Sequence, residues 1–319
     1  MKNPLVSIIM PTYNGEKYIK KALDSILGQN YTPIELIVVN DGSTDNTLKI
    51  LESYKSKFIT NSNQLRIISQ KNGGVASAFN AGLKKFTGSF LCFLADDDWL
   101  KPDSVKRRVE FLQKNQRFDL VYCAVEVVDE GDEDKVVFTR RIKGFPPDDN
   151  LFANMLLEKN YYWGDLAHLV RSDYFLKIHP KRCIADFRAG QNIQIFLPLY
   201  YRGKVGYIDE PVATILDRQD SHSRKQRSEE EWRRRYEEIR DIYIDTLNKI
   251  DMPKQERENY VAVIQERYEK QFVIEDLLKE IAIRDSRVAK LKSKSNKFLG
   301  IKRSARLLVG NIKRRITRK

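Results

Sequence analysis

Cysteine is scarce in this chain. Cys92, Cys123 and Cys183 are an odd number, and the first two lie in apolar strand-like runs, where a free thiol behaves as a small hydrophobe. That usage argues for a reducing, cytoplasmic setting. Long apolar runs are missing too: none approaches about 20 residues, so no membrane span is expected. The opening run Val6 to Met10 is too short for a signal peptide and leads straight into Pro11-Thr12-Tyr13-Asn14. That same turn contains no glycine-rich, basic phosphate loop, which argues against a nucleotidyltransferase. Acidic residues vanish at the other end, where Ser286 to Lys319 holds 13 Lys plus Arg and no Asp or Glu. Taking these from the 57 basic residues leaves 44, against 44 acidic ones, so the whole net charge of +13 lies in the tail.

What is present begins with 41% hydrophobic residues over 319 positions, enough for a real core and against a disordered chain. The pattern is organised around Phe90-Leu91-Cys92-Phe93-Leu94, a continuous apolar run that reads as a strand buried on both faces and runs out into Ala95-Asp96-Asp97-Asp98-Trp99. Three adjacent carboxylates repel one another unless something positive sits among them. At a strand's carboxyl end, where open α/β sheets bind ligands, a hard divalent cation suits that position. A solvated acidic cap on the helix beginning near Pro102 is the competing reading.

Three earlier strands repeat the arrangement: Leu5 to Met10, Ile34 to Val39, and Leu65 to Ile68. Helical patterns separate them, over about Glu16 to Leu27, a stretch carrying Leu48 and Leu51, and Val75 to Phe86. Strands alternating with helices at this spacing predict right-handed crossovers and a mostly parallel sheet. One crevice would then gather Tyr13, Asp41, Lys71 and Asp96 to Asp98. An aromatic ring, an acid for base or ribose, a lysine and a cation together suit a nucleoside diphosphate.

Four strings, in order, carry a family resemblance. They are Val6-Ser7-Ile8-Ile9-Met10-Pro11-Thr12-Tyr13-Asn14, Asn40-Asp41-Gly42-Ser43-Thr44-Asp45-Asn46-Thr47, Asn72-x-Gly74 with Ala78-x-Asn80-x-Gly82, and Asp96 to Asp98. Over roughly the first 105 residues the chain resembles glycosyltransferase family 2. The resemblance implies a GT-A (Rossmann-like) α/β fold with a mostly parallel sheet flanked by helices. It also implies inverting transfer from a nucleotide-diphosphate sugar, with UDP the first choice of nucleotide, and a Mn2+ or Mg2+ cofactor. Carried over by position, Pro11, Thr12 and Tyr13 line the base pocket, Asp41 holds base or ribose, and Lys71 lies near base and phosphates. Asp97 aligns with the metal-binding acid. Ala95 replaces the usual first carboxylate, so Asp96 takes the ribose or a supporting role.

Inverting transfer needs a base for the acceptor hydroxyl. The family's usual Glu-Asp pair is replaced here by Gly190-Gln191-Asn192, and Asn192 is no base; such a string is similar to a sub-group associated with bacterial cell-surface polysaccharides. The base is then Asp165 or Asp186, with Asp165 preferred for its aromatic setting in Tyr161-Tyr162-Trp163-Gly164-Asp165. Those rings suit sugar faces, or else simple core packing. By the resemblance, His222 is a metal or diphosphate ligand, and Arg218 or Arg224 meets phosphate oxygens.

The expected organisation is a nucleotide-sugar half over 1–105, an acceptor half over 106–226, a helical extension over 227–289 and a basic amphipathic tail over 290–319. Ser228 with Glu231 makes a capping box ahead of Trp232, Tyr236, Ile239, Tyr243 and Leu247 at helical spacing. A second helical pattern from Tyr260 to Val288 offers an oligomer contact. In the tail, Phe298, Ile301, Ala305, Leu308, Ile312 and Ile316 share one helical face among basic residues, which suits an anionic membrane surface. Nucleic acid is not expected, because interleaved aromatics for base stacking are absent and only Phe298 is present there. The resulting expectation is a peripheral enzyme on the inner face of the plasma membrane, glycosylating a glycan or lipid-linked acceptor. A catalytically inactive sugar-nucleotide-binding scaffold is the alternative, suggested by Ala95 and Asn192.

Overall fold

The computed structural model describes residues 3–60, 62–145, 151–162, 164–187, 189–218 and 228–274, with isolated positions up to 287. The first half alternates as the sequence predicts. In order come β1 (Val6–Thr12), α1 (Ile19–Leu27), β2 (Ile34–Asn40), α2 (Thr47–Thr60), β3 (Gln64–Ser69), α3 (Val75–Leu83) and β4 (Phe90–Phe93). Every residue of β2 and β4 is buried, which is why these strands read as unbroken apolar runs rather than alternating ones.

After the acids come β5 (Trp99–Leu100), α4 (Ser104–Lys114), β6 (Leu120–Cys123), β7 (Val125–Asp129) and β8 (Asp132–Arg140). Next are α5 (Leu151–Leu157), a 3-10 turn (Asp165–Ala167), β9 (His168–Arg171), α6 (Ser172–Ile178) and α7 (Gln191–Arg202). The last are β10 (Val205–Ile208), β11 (Ala213–Asp217) and α8 (Glu229–Lys249), and the backbone is helical again over 254–274.

The main sheet has seven strands in the order β10-β6-β9-β4-β1-β2-β3. Its pairs are parallel except those of β9, which runs antiparallel to both β4 and β6. A second sheet, β5-β11-β7-β8, rises beside it. The run Leu120 to Val125 is apolar throughout, yet it is divided between the two sheets at Ala124. Ala124 donates to Ile208 O and accepts from Val212 N, so the chain changes sheets there without orphaning its backbone. The acidic stretch Asp129 to Asp134 enters strand β8 at Asp132.

Residues 1–264 form one compact unit and 265–319 a second. Within the first, α8 starts at the predicted capping box, with Ser228 and Glu231 bonded reciprocally. It buries Ile242, Tyr243, Thr246 and Leu247. Among the described residues no helix is long and apolar enough to cross a membrane. The basic tail over 290–319 lies outside the described residues.

Candidate active site

The crevice is built by turns that leave the carboxyl ends of β1, β2 and β4. Two of them clasp each other. Asn14 N donates to Ser43 Oγ (2.9 Å), and Asn14 Oδ1 accepts from Thr44 N (2.8 Å). Glu16 N donates to Asp45 Oδ2 (3.1 Å) while Asn46 N donates to Glu16 Oε2 (2.8 Å). The polar residues of these two sequence strings therefore fix one loop against the other, and leave Tyr13 at their edge, 52% exposed.

Asp41 is buried and largely committed. Its Oδ1 accepts from Gln70 Nε2 (2.7 Å) and Gly73 N (2.9 Å), and its Oδ2 from Gly74 N (2.8 Å). A carboxylate has about four lone-pair sites. One remains for a ligand, and the other three hold in place the loop that presents the exposed Lys71.

The three consecutive acids do not converge. Asp96 accepts from Thr12 Oγ1, and burial lifts its carboxyl to about 6. Gly15 lies against this pair: a Cβ there would fall inside contact distance of the Asp96 carboxylate and 2.7 Å from Thr12 Oγ1. Asp98 is buried, accepts from Leu216 N of β11 (3.0 Å), and is held well above the usual carboxylate range by burial and then by the charge of Asp97. Asp97, between them, is 3.1 Å from the Arg218 guanidinium. Arg218 in turn lies over the Tyr18 ring at 4.5 Å. This is the positive group that three adjacent acids require, and the strand pairing of β11 with β5 delivers it.

A divalent ion is thus offered a single partly exposed carboxylate, Asp97. Among the described residues no three His, Cys, Asp or Glu side chains form a ligand set. That donor set does not suit a closed protein cage. It fits a Mg2+- or Mn2+-type ion that takes one or two carboxylates and completes its shell with phosphate and water. His222 and Arg224 fall outside the described residues.

Beyond the acidic turn, Asp165 opens the 3-10 turn that feeds β9. Burial lifts its carboxyl to about 7, and its charge is felt at Asp98. Its Oδ1 is buried with no hydrogen-bond partner, as is Oδ1 of Asn192 in the first turn of α7. Asp186 is exposed, on an irregular loop. Ahead of Asn192, Gly190 has φ +70°, and a Cβ there would lie 2.8 Å from Ile242 Cδ1 of α8. Glycine is needed both for that backbone and for the approach of the helix. The tyrosines before Asp165 are spent on packing: Tyr161 and Tyr162 centre 5.3 and 4.9 Å from the Tyr122 ring, and Tyr122 OH donates to Tyr162 O (2.5 Å).

Sequence reasoning missed two residues here, Arg108 and His168, which grip the turn of Asp165. Arg108 had a readable signal, because it falls on the apolar stripe Val105, Val109, Leu112 of α4. His168 had none, since a single histidine at the head of a strand has no pattern.

Residues 7–170 match the family described as Glycosyl transferase family 2. Over 129 residues the chain is 41% identical to an uncharacterised glycosyltransferase of Rickettsia prowazekii (strain Madrid E), a stretch covering 40% of this chain and 38% of that protein. It is 40% identical over 119 residues to the chondroitin synthase of Pasteurella multocida (strain Pm70), covering 37% of this chain and 12% of the synthase. The chain therefore spans well under half the length of these relatives. Among solved structures, S. aureus TarS 1-349 in complex with UDP-GlcNAc matches at 24% identity and a TM-score of 0.63, over 84% of this chain and 72% of that one. Mannosyltransferase PcManGT from Pyrobaculum calidifontis, in complex with GDP-Man and Mn2+, matches at 19% identity and a TM-score of 0.52, over 83% and 70%. These likenesses show the fold, a GT-A arrangement.

Proposed function

The chain belongs to glycosyl transferase family 2, and from that premise we propose that it is a metal-dependent, inverting glycosyltransferase. It moves a sugar from a nucleotide-diphosphate donor to a lipid-linked or polysaccharide acceptor in cell-surface glycan assembly. The observation that carries this reading is the Asp165 carboxylate, lifted by burial to about 7 with a bare Oδ1, within electrostatic range of the acidic turn at the end of β4. A base whose pKa sits near working pH is suited to take a hydroxyl proton.

Residues 1–105 serve the donor. The half-exposed Tyr13 ring stacks on the base, with Pro11 and Thr12 beside it. The remaining lone-pair site of Asp41 takes a base or ribose donor, and Lys71 meets phosphate. Asp96, bonded to Thr12, supports that pocket. Asp97, with His222, would hold a Mn2+ or Mg2+ ion. Bound there, the ion supplies charge stabilisation to the departing diphosphate. Arg218 meets phosphate oxygens from the same side. Residues 106–226 serve the acceptor: Asp165 takes its proton as the hydroxyl oxygen bonds to the anomeric carbon and the bond to the diphosphate breaks on the opposite face. UDP is the first choice of nucleotide, supported by the UDP-GlcNAc that TarS binds. The helical extension offers an oligomer contact, and the tail a membrane contact.

The experiment is hydrolysis of a panel of nucleotide-diphosphate sugars with Mn2+, with and without chelator, for the native protein and Asp97→Ala. Slow, Mn2+-dependent release from one donor, abolished by the substitution, supports the transferase. Calorimetric donor binding without release, even with lipid-linked acceptors supplied, supports the scaffold and overturns the enzyme.

A further inference from the structure

The turn over 164–168 is held by two side chains that have no contact with solvent. Arg108 is 0% exposed. Its Nη1 donates to Leu166 O (3.1 Å) and His168 O (3.0 Å) and lies 3.2 Å from Cys92 Sγ on β4. Its Nη2 and Nε are used on Ser104 Oγ (2.8 Å) and Ser104 O (3.2 Å) within its own helix. His168, also 0% exposed, places Nδ1 3.0 Å from Gly164 O and Nε2 2.8 Å from Tyr200 OH. A carbonyl only accepts, so Nδ1 carries the proton and Nε2 accepts from the Tyr200 hydroxyl. Burial pushes the imidazole down to about 3, which keeps it neutral.

None of these acceptors is a carboxylate. An apolar residue at position 108 would continue the stripe of Val105, Val109 and Leu112 at no desolvation cost, whereas a buried guanidinium costs several kcal/mol unless its geometry is well met. What the arginine adds is three fixed points, two on the Asp165 turn and one on the strand that leads to the acids. The backbone around Asp165 is gripped from both sides while its Oδ1 is left without a partner.

We propose that Arg108 and His168 are positioning residues of the transfer site, fixing the turn over 164–168 so that the unpartnered Oδ1 of Asp165 is aimed at the acceptor hydroxyl. The inference rests on Asp165 as the base. Displacing a reacting group by about 1 Å costs on the order of 100-fold in rate. Arg108→Lys retains the charge but cannot span both carbonyls, and His168→Phe removes the bond to Gly164 O. His168→Asn retains a donor there.

The test is a double-mutant cycle on the full chain with Mn2+, donor and acceptor. Arg108→Lys and His168→Phe should each lower kcat by about 10- to 100-fold, with donor KM changed less than about twofold, and His168→Asn should recover most of the loss. In the Asp165→Asn background, either substitution should change kcat by less than about twofold, because the group they position is gone. Equal losses in both backgrounds would overturn the inference and make the two residues merely structural. Full activity of Asp165→Asn alone would overturn the base assignment instead. If Arg108→Lys fails to fold, the His168 pair decides the same question.

Discussion

Arg218 Nη2 stands 3.1 Å from Asp97 Oδ2, with both side chains 21% exposed, so the carboxylate assigned to the metal carries a protein cation when no donor is bound. Arginine and a divalent ion then compete for one oxygen. We predict that Arg218→Met tightens Mn2+ binding to the donor-free protein a few-fold, the scale of a partly exposed ion pair worth about 1 kcal/mol. Mn2+ titration followed by electron paramagnetic resonance reads this directly; unchanged or weaker binding would refute it.

Asp165 as the proposed base predicts a pH dependence. Its carboxyl is lifted to about 7, and only the ionised form accepts a proton. kcat should therefore fall as pH drops through about 7, approaching tenfold per unit below it. Asp165→Asn should lower kcat by about 10²- to 10⁴-fold. Donor affinity by calorimetry should stay constant.

The same carboxyl predicts a stability trade-off. Its pKa in the fold is raised above the ordinary 3.8 by burial, so the fold prefers the neutral form. The associated stability is present below about pH 4 and is lost as pH rises to about 7. Asp165→Asn should thus stabilise the fold at pH 8 by on the order of a few kcal/mol, seen as a raised Tm, and leave Tm nearly unchanged at pH 4. Thermal melts at both values test the sign. A destabilised variant at pH 8 would contradict it.

Gly15→Ala tests the close packing beneath the acids. The new methyl would press on the Asp96 carboxylate and lie 2.7 Å from Thr12 Oγ1, forcing the two apart. We expect a loss of about 1–3 kcal/mol in chemical denaturation and weaker donor binding. A neutral outcome would mean the turn yields freely.

The basic tail over 290–319 makes a prediction of its own, because it holds 12 Lys plus Arg and no Asp or Glu, nearly all of the net charge of +13. The full chain should cosediment with vesicles of phosphatidylserine and phosphatidylcholine, and release as salt rises. A chain ending at residue 289 should stay in solution. Equal binding by both would move the membrane contact elsewhere.

The alternation of β1, β2, β3 and β4 with helices was legible because each strand is a continuous apolar run and each turn has its own polar string. The sequence strings also pointed to Tyr13, Asp41, Lys71 and Asp97, since turn chemistry is local. Less legible was what each acid of the triplet does. Adjacent in sequence, Asp96, Asp97 and Asp98 are consigned to Thr12, Arg218 and Leu216 N. Two of those partners come from β11 and the residue after it, more than a hundred positions away. No local pattern encodes such a pairing.

The sequence by itself determined the fold class, the crevice and the family, because hydrophobic periodicity and turn residues act over a few positions. Only the tertiary structure decided that Arg218 neutralises Asp97, that Asp41 is mostly spent on its neighbouring loop, and that Asp165 has a buried, unpartnered Oδ1 and a raised pKa while Asp186 is exposed. The reason is physical: burial, desolvation and the pairing of charges are properties of a residue's surroundings in space, and strands that meet across the sheets supply those surroundings.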